Sequence, residues 1–364
     1  MKTGPCLVIV GTRPEAIKLA PVIIELRRRG VETLCCATGQ HPDMVHEMLS
    51  EFGLAVDIDV GKSARSIKPF ERLSQLQAVA MMASLVIVQG DTMSAFAGAV
   101  AASLSETPLA HVEAGLRTGD FAAPFPEEAL RIGIARLADI HFAPTSDALA
   151  NLRDEGIARD TVHLVGNTIV DAVRAILPGR RGIGRYVVLT THRREHDGEP
   201  GREILRAAAR LSAEDGLEVV YPAHPRTPAA DLAIVEDCER VRVSGPLPYS
   251  RFLPLLADAA LVITDSGGVQ EEAATLGVPL VCARTVTERP QAVAVSNSIL
   301  TGPDEHAIVA ASRDLLSRPR RPARSAVFGD GHAAERIADT LIRKKFASVN
   351  QHSAATDGLR LVNP

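Results

Sequence analysis

Short, unbroken runs of apolar residues, many of them β-branched, recur along this chain with longer helical patterns between them. One series comprises CLVIV (6–10), TLCCAT (33–38), LVIVQ (85–89), LAHV (109–112) and VHLVG (162–166). A second comprises YVVLTT (186–191), LEVVYP (217–222), VRVSG (241–245), LVITD (261–265) and VPLVCA (278–283). Strands that are apolar at successive positions need cover on both faces, which crossover helices on a parallel sheet provide. Two series therefore predict an α/β chain of two Rossmann-like doubly wound domains. The length, 364 residues, agrees, being too great for one ordinary core. LPGRRGIGR (177–185), rich in glycine and arginine, is the natural linker. It divides the chain into domains at 1–176 and 177–345, followed by a polar, aperiodic tail at 346–364 that is expected to be poorly ordered.

Composition narrows the function classes. A formal net charge of −4 gives no basic face for nucleic acid or an acidic membrane surface. No apolar run approaches the ~18 residues a membrane span needs. MKTGPCLVIVGTRPE reads as a core strand and a glycine turn, not a signal peptide. The five cysteines form no C-x-x-C pair and four lie in apolar runs, the pattern of buried thiols in a reducing, cytoplasmic compartment. Without H-E-x-x-H or paired C-x-x-C, a metal is not indicated. GIG (182–184) precedes a strand, the wrong context for a dinucleotide fingerprint, and neither a Walker lysine motif nor a nucleophile elbow occurs.

Open parallel sheets bind ligands beyond the carboxyl ends of their strands. Six strand ends here carry charged, imidazole or glycine-rich segments: Arg13 and Lys18, Asp91, Glu113, His192, His224, and Ser266-Gly267-Gly268. In the last of these, N–H groups at a helix start can approach an anion closely because glycine places no side chain in the way. A tight turn with an N-cap serine is the alternative. Glu272, about one turn into that helix, can accept hydrogen bonds from a ribose diol, so the segment suits a ligand with an anionic end and a hydroxyl end. Glu271 is expected on a solvated face. Arg13 offers a guanidinium fork to phosphate, and Lys18 reads equally as a surface lysine. His192 stands at a strand terminus beside two arginines and leans towards function, while His224 is evenly balanced. Asp91, Glu113 and Glu127 form an acidic trio. Carboxylates gathered in a pocket can separate into an acid and a base, although Glu127, behind Pro126, also reads as helix N-terminal charge compensation. Arg131, one turn after Glu127, can balance these charges.

GTRPEAIKLAPVI (11–23), TGQH (38–41), QGDT (89–92), HVEAGLRTGD (111–120), PFPEE (124–128), GNTIVDAV (166–173), HRRE (192–195), TDSGGVQEEA (264–273) and TERP (287–290) occur in that order. Together they resemble the UDP-N-acetylglucosamine 2-epimerase family along most of the chain. The resemblance implies a GT-B-like pair of domains with a UDP-sugar in the interdomain cleft, a homodimer, and a reaction without redox cofactor or metal. UDP would be eliminated across C1–C2 to a 2-acetamidoglucal and then re-added after protonation of the opposite face. It also implies Asp91, Glu113 and Glu127 as catalytic carboxylates, with His192 assisting UDP departure. Arg13, His192, Ser266, Gly267, Gly268 and Glu272 would hold UDP, and Lys18 would lie near the sugar.

This chain departs from the family pattern at several positions. Thr191 and His196 flank H-R-R-E where Gly and Asn are usual, Leu130 replaces an Asn, Arg226 occupies an Asn position, and Gln291 follows T-E-R-P. The segment between TGQH and QGDT is also shorter, which bears on activation by a second UDP-GlcNAc. Hydrolysing 2-epimerisation to ManNAc and UDP, 2-epimerisation of a modified UDP-HexNAc, glycosyl transfer, and nucleotide-sugar binding without catalysis are the competing readings. The acid–base set argues against the last.

Overall fold

The computed structural model describes residues 4–61, 69–121, 125–177, 184–191, 196–287, 298–318 and 327–346. The linker expected at 177–185 lies largely outside these residues, as does the tail beyond Phe346. The chain forms two compact units, one of Met1–Ala172 with Gly331 onward and the other of Val173–Asp330.

The first unit is a seven-stranded sheet of β1 (Cys6–Val10), β2 (Thr33–Ala37), β3 (Ile58–Asp59), β4 (Leu85–Gln89), β5 (Leu109–Val112), β6 (Ile140–Ala143) and β7 (Val162–Leu164), ordered β3-β2-β1-β4-β5-β6-β7. All its pairings are parallel. The second unit is a six-stranded parallel sheet of β8 (Tyr186–Thr190), β9 (Glu218–Pro222), β10 (Val241–Ser244), β11 (Leu261–Thr264), β12 (Leu280–Cys282) and β13 (Ser298–Leu300), ordered β10-β9-β8-β11-β12-β13. Every residue of β1, β4, β5 and β11 is buried, as cover on both faces requires. This is the doubly wound α/β architecture expected. In each sheet the strand order reverses once, between β1 and β4 and between β8 and β11. Ligands of such sheets settle at these reversals, beyond the carboxyl ends.

Three strands were not read from sequence. β3 and β13 are edge strands of two and three residues, too short to show a period. β6 is interrupted by His141, which is accommodated because its Nε2–H donates to the Ala135 carbonyl at 2.8 Å. The division at 177–345 also needs correction, because the last helix, Ala333–Arg343, belongs to the first unit. Its buried residues Ala334, Ile337, Ala338 and Leu341 form one stripe, and the helix packs on helix Arg13–Arg28. Asp171 caps it from outside, accepting the N–H groups of Ala333 and Ala334 at 3.3 and 3.0 Å. That capping role explains the acid in GNTIVDAV.

All five cysteines are free, and burial pushes the thiols of Cys6, Cys35 and Cys36 up to about 12, so they stay protonated. Among the described residues no helix is long and apolar enough to cross a membrane.

Candidate active site

Asp91 and Glu113, two of the acid–base candidates, follow β4 and β5, which end side by side with Gln89 opposite Val112. Gly90 follows β4 at φ +71°, a left-handed turn that suits glycine and presents Asp91. His111, on β5, fixes that turn: its Nε2–H donates to the Gly90 carbonyl at 2.8 Å. Complete burial pushes the His111 imidazole down to about 3, so it stays neutral. Glu113 then leaves β5 at φ +62°, a conformation that costs a non-glycine residue about 1–3 kcal/mol and persists only where its surroundings impose it.

Those surroundings are visible. The buried Glu113 carboxylate is ion-paired with the Lys18 ammonium and accepts a hydrogen bond from Asn167 Nδ2 at 3.2 Å. The surface reading of Lys18 is therefore corrected: the side chain is buried, because helix Arg13–Arg28 turns it inward toward Glu113. Asp91 is held separately, with its Oδ2 2.5 Å from an Arg131 Nη. Arg131 also donates to Glu128 at 3.1 Å, and Glu128 accepts the N–H groups of Thr118 and Gly119. The two acids of PFPEE thus differ in role. Glu128 is buried in a structural clamp, whereas Glu127 is half-exposed and its Oε2 has no hydrogen-bond partner.

One residue of this site was missed. Glu15 is fully buried and accepts from the Gly11 N–H (2.8 Å), the Thr12 N–H (2.7 Å) and the Thr12 and Thr92 hydroxyls (2.9 and 2.6 Å). It ties the turn before Arg13 to the residue after Asp91. Burial pushes its carboxyl up to about 7 against these hydrogen bonds. T-R-P-E carries a helix-start signature, with an acid three residues after a threonine, but its bond to Thr92 spans 77 residues and is invisible locally. Arg13 is half-buried at the helix start and makes no hydrogen bond or ion pair among the described residues.

In the second unit Ser266 caps helix Gly267–Leu276, its Oγ accepting from the Val269 N–H. Neither Gly267 nor Gly268 has positive φ. Among the described residues, a Cβ added at Gly268 would meet only Ser266 Oγ, at 3.9 Å. Among the described residues neither backbone conformation nor packing demands glycine at 268, and the bare backbone there is open to close approach by a ligand. Gly268→Ala should accordingly raise thermal stability slightly, by up to about 1 kcal/mol, while weakening by about tenfold or more the binding of any diphosphate held at this helix start, with UDP as the probe. Calorimetric titration alongside thermal unfolding reads both, and unaltered UDP affinity would remove the anion role. Glu272 is buried within the same helix. Glu271 is fully buried too, correcting its expected solvated face, because the helix packs against β11, β12 and helix Tyr249–Asp258.

His224 lies in the turn after β9, its Nδ1 accepting the Arg226 N–H at 3.2 Å. Together with Thr191, His196 and Arg226 it lines a small, open cleft. His192 lies outside the described residues, so the structure gives it no geometry. Among the described residues no group of His, Cys, Asp and Glu side chains is arranged to hold a metal ion.

Comparison with known proteins extends these observations. The family model for UDP-N-acetylglucosamine 2-epimerase matches residues 24–342. The UDP-N-acetylglucosamine 2-epimerase of Bacillus subtilis is 35% identical, with 94% of this chain and 96% of that protein aligned; that of Escherichia coli is 34% identical over 92% and 97%. The crystal structure of the Neisseria meningitidis UDP-GlcNAc 2-epimerase bound to UDP-GlcNAc superposes with a TM-score of 0.84 at 30% identity, covering 93% of this chain and 100% of that one. The Methanocaldococcus jannaschii enzyme in complex with UDP-GlcNAc and UDP gives 0.81 at 31%, covering 94% and 100%. Similarity of this extent takes in both sheets and the strand ends at which the candidate residues stand, and on it this chain belongs to the UDP-N-acetylglucosamine 2-epimerase family of enzymes.

Proposed function

We propose that this enzyme inverts C2 of a UDP-N-acetylhexosamine, converting UDP-GlcNAc to UDP-ManNAc without hydrolysis. The observation that carries the reading is the pair Asp91 and Glu113 on adjacent strand ends, each ion-paired with a buried cation of its own, Arg131 and Lys18. A binding protein has no need of such a set. Chemistry at an unactivated C–H does, because one group must take the proton from C2 and another must return one to the opposite face.

In the first half-reaction a carboxylate of the set removes the C2 proton, its electron pair forms the C1=C2 double bond, and the C1–O bond to the β-phosphate breaks. UDP leaves with that bond's electrons. The N–H groups of Gly267 and Gly268 suit the departing diphosphate, and Arg13, Ser266 and His192 are assigned to the same step on the family resemblance. In the second half-reaction a carboxylic acid protonates C2 from the other face and the same phosphate oxygen re-forms the bond at C1. Atoms balance except that the hydrogen at C2 now comes from solvent. Asp91, Glu113 and Glu127 share the base and acid roles.

That exchange supplies the test. Incubation with UDP-GlcNAc in D2O, followed by proton NMR, should show deuterium entering C2 as UDP-ManNAc accumulates. Deuterated free ManNAc with UDP would replace this reading by the hydrolysing one. Retention of the C2 proton would overturn UDP-GlcNAc as the substrate.

A further inference from the structure

Two positions at which this chain departs from the family pattern converge on one carboxylate. Asp265 is fully buried and directly precedes Ser266, the cap of the anion corner. Its Oδ2 accepts from the Thr191 hydroxyl at 3.0 Å and lies 3.0 Å from His196 Nδ1. Because a carboxylate can only accept there, Nδ1 carries the proton. His196 is itself buried, and its Nε2 has no hydrogen-bond partner among the described residues. A second cross-link lies one step back, where the Thr190 and Thr264 hydroxyls meet at 2.6 Å. The ends of β8 and β11, which flank the reversal of strand order, are thereby fastened by side chains as well as by the sheet.

We infer that His196 is a positioning residue for diphosphate binding: it fixes the Asp265 carboxylate, and through it the Ser266-Gly267-Gly268 corner. The inference rests on the proposed UDP-sugar chemistry. Asp265 brings negative charge within one residue of a site meant for an anion. Turned toward the corner, that carboxylate would compete with an anion for its N–H groups. The imidazole N–H donates along a fixed direction, holds Oδ2 on the β8 side, and spreads part of the charge into a polarisable ring. Thr191, anchored at the end of β8, supplies a second donor. The paired departures therefore act as a unit: a hydroxyl and an imidazole together hold one carboxylate.

The test compares His196→Ala with His196→Asn, whose side-chain amide keeps a donor near the position of Nδ1. UDP affinity is measured by calorimetric titration and steady-state constants by coupled assay, with thermal unfolding checked in the absence of ligand. His196→Ala should weaken UDP binding about 10- to 100-fold, the effect of losing a hydrogen bond to a buried charge, and should raise KM more than it lowers kcat. His196→Asn should restore most of the affinity. In combination with Asp265→Asn, the alanine variant should show a non-additive effect on UDP affinity. Equal losses in the Ala and Asn variants would mean that His196 touches the ligand directly, and unchanged affinity in both would mean that it does not position the corner; either result overturns the inference. If His196→Ala does not fold, the Asn variant and the single Asp265→Asn variant decide, the inference failing if both bind UDP as the unchanged chain does. Failure of the unchanged enzyme to bind UDP would instead bring down the functional reading, and this inference with it.

Discussion

Glu113→Gln is expected to slow C2 hydrogen exchange about 10³- to 10⁴-fold while leaving UDP affinity within about threefold of the unchanged enzyme. The substitution conserves shape and hydrogen-bonding reach and removes only the ability to carry or surrender a proton. It also leaves the Lys18 ammonium, buried at 3% exposure, opposite a neutral amide. Loss of one partner of a buried ion pair costs about 3–5 kcal/mol, so a fall in thermal stability should accompany the loss of rate. Lys18→Met with Glu113→Gln separates the two effects. Removing both charges should recover stability relative to Glu113→Gln alone, and activity should stay lost. Exchange at more than about a tenth of the original rate in Glu113→Gln would show that Glu113 takes no part in proton transfer.

How far the sequence discloses this site depends on whether a role is local. The places of Asp91, Glu113 and Ser266 in the fold were legible because a residue just after an apolar strand has one place to go, the carboxyl edge of a parallel sheet. Glycines 267 and 268 were legible for the same reason. Lys18 was ambiguous because its burial depends on a partner 95 residues away. Glu271 was misread because a helix covered on several sides does not show the amphipathic stripe from which exposure is inferred. Asn167 and Glu15 stood inside recognisable motifs, but their work is done on Glu113 and Thr92 in distant segments. The last helix was assigned to the wrong domain because chain order favours continuity. What places it is a stripe that fits helix Arg13–Arg28 and the carboxylate of Asp171 at its N-terminus, neither of which leaves a local signal.

His111 should make the folded enzyme acid-sensitive. Burial lowers its imidazole from 6.5 to about 3. Between those values the unfolded chain binds a proton that the folded chain refuses, so stability falls as pH falls through the window. Acidification from pH 6.5 to about 4.5 should remove on the order of 2–3 kcal/mol through this residue alone. His141 and His163 are lowered by burial as well and add to the same slope. Glu15, raised from 4.5 to about 7, opposes it, because its folded form gains a proton over much of that range. These contributions are shared by wild type and variant, so a difference between the two isolates His111. His111→Gln keeps an N–H near the position of Nε2, where it can still donate to the Gly90 carbonyl, but cannot titrate. Its stability should therefore decline less steeply with acid in denaturant titrations, with most of the epimerase rate retained. His111→Phe loses the donor as well. Freed from that bond, the Gly90 turn would present Asp91 less accurately, and the rate should fall about 10- to 100-fold. Identical acid slopes in wild type and His111→Gln would show that His111 is not the titrating group. Identical rates in the Gln and Phe variants would show that its bond to Gly90 does not position Asp91.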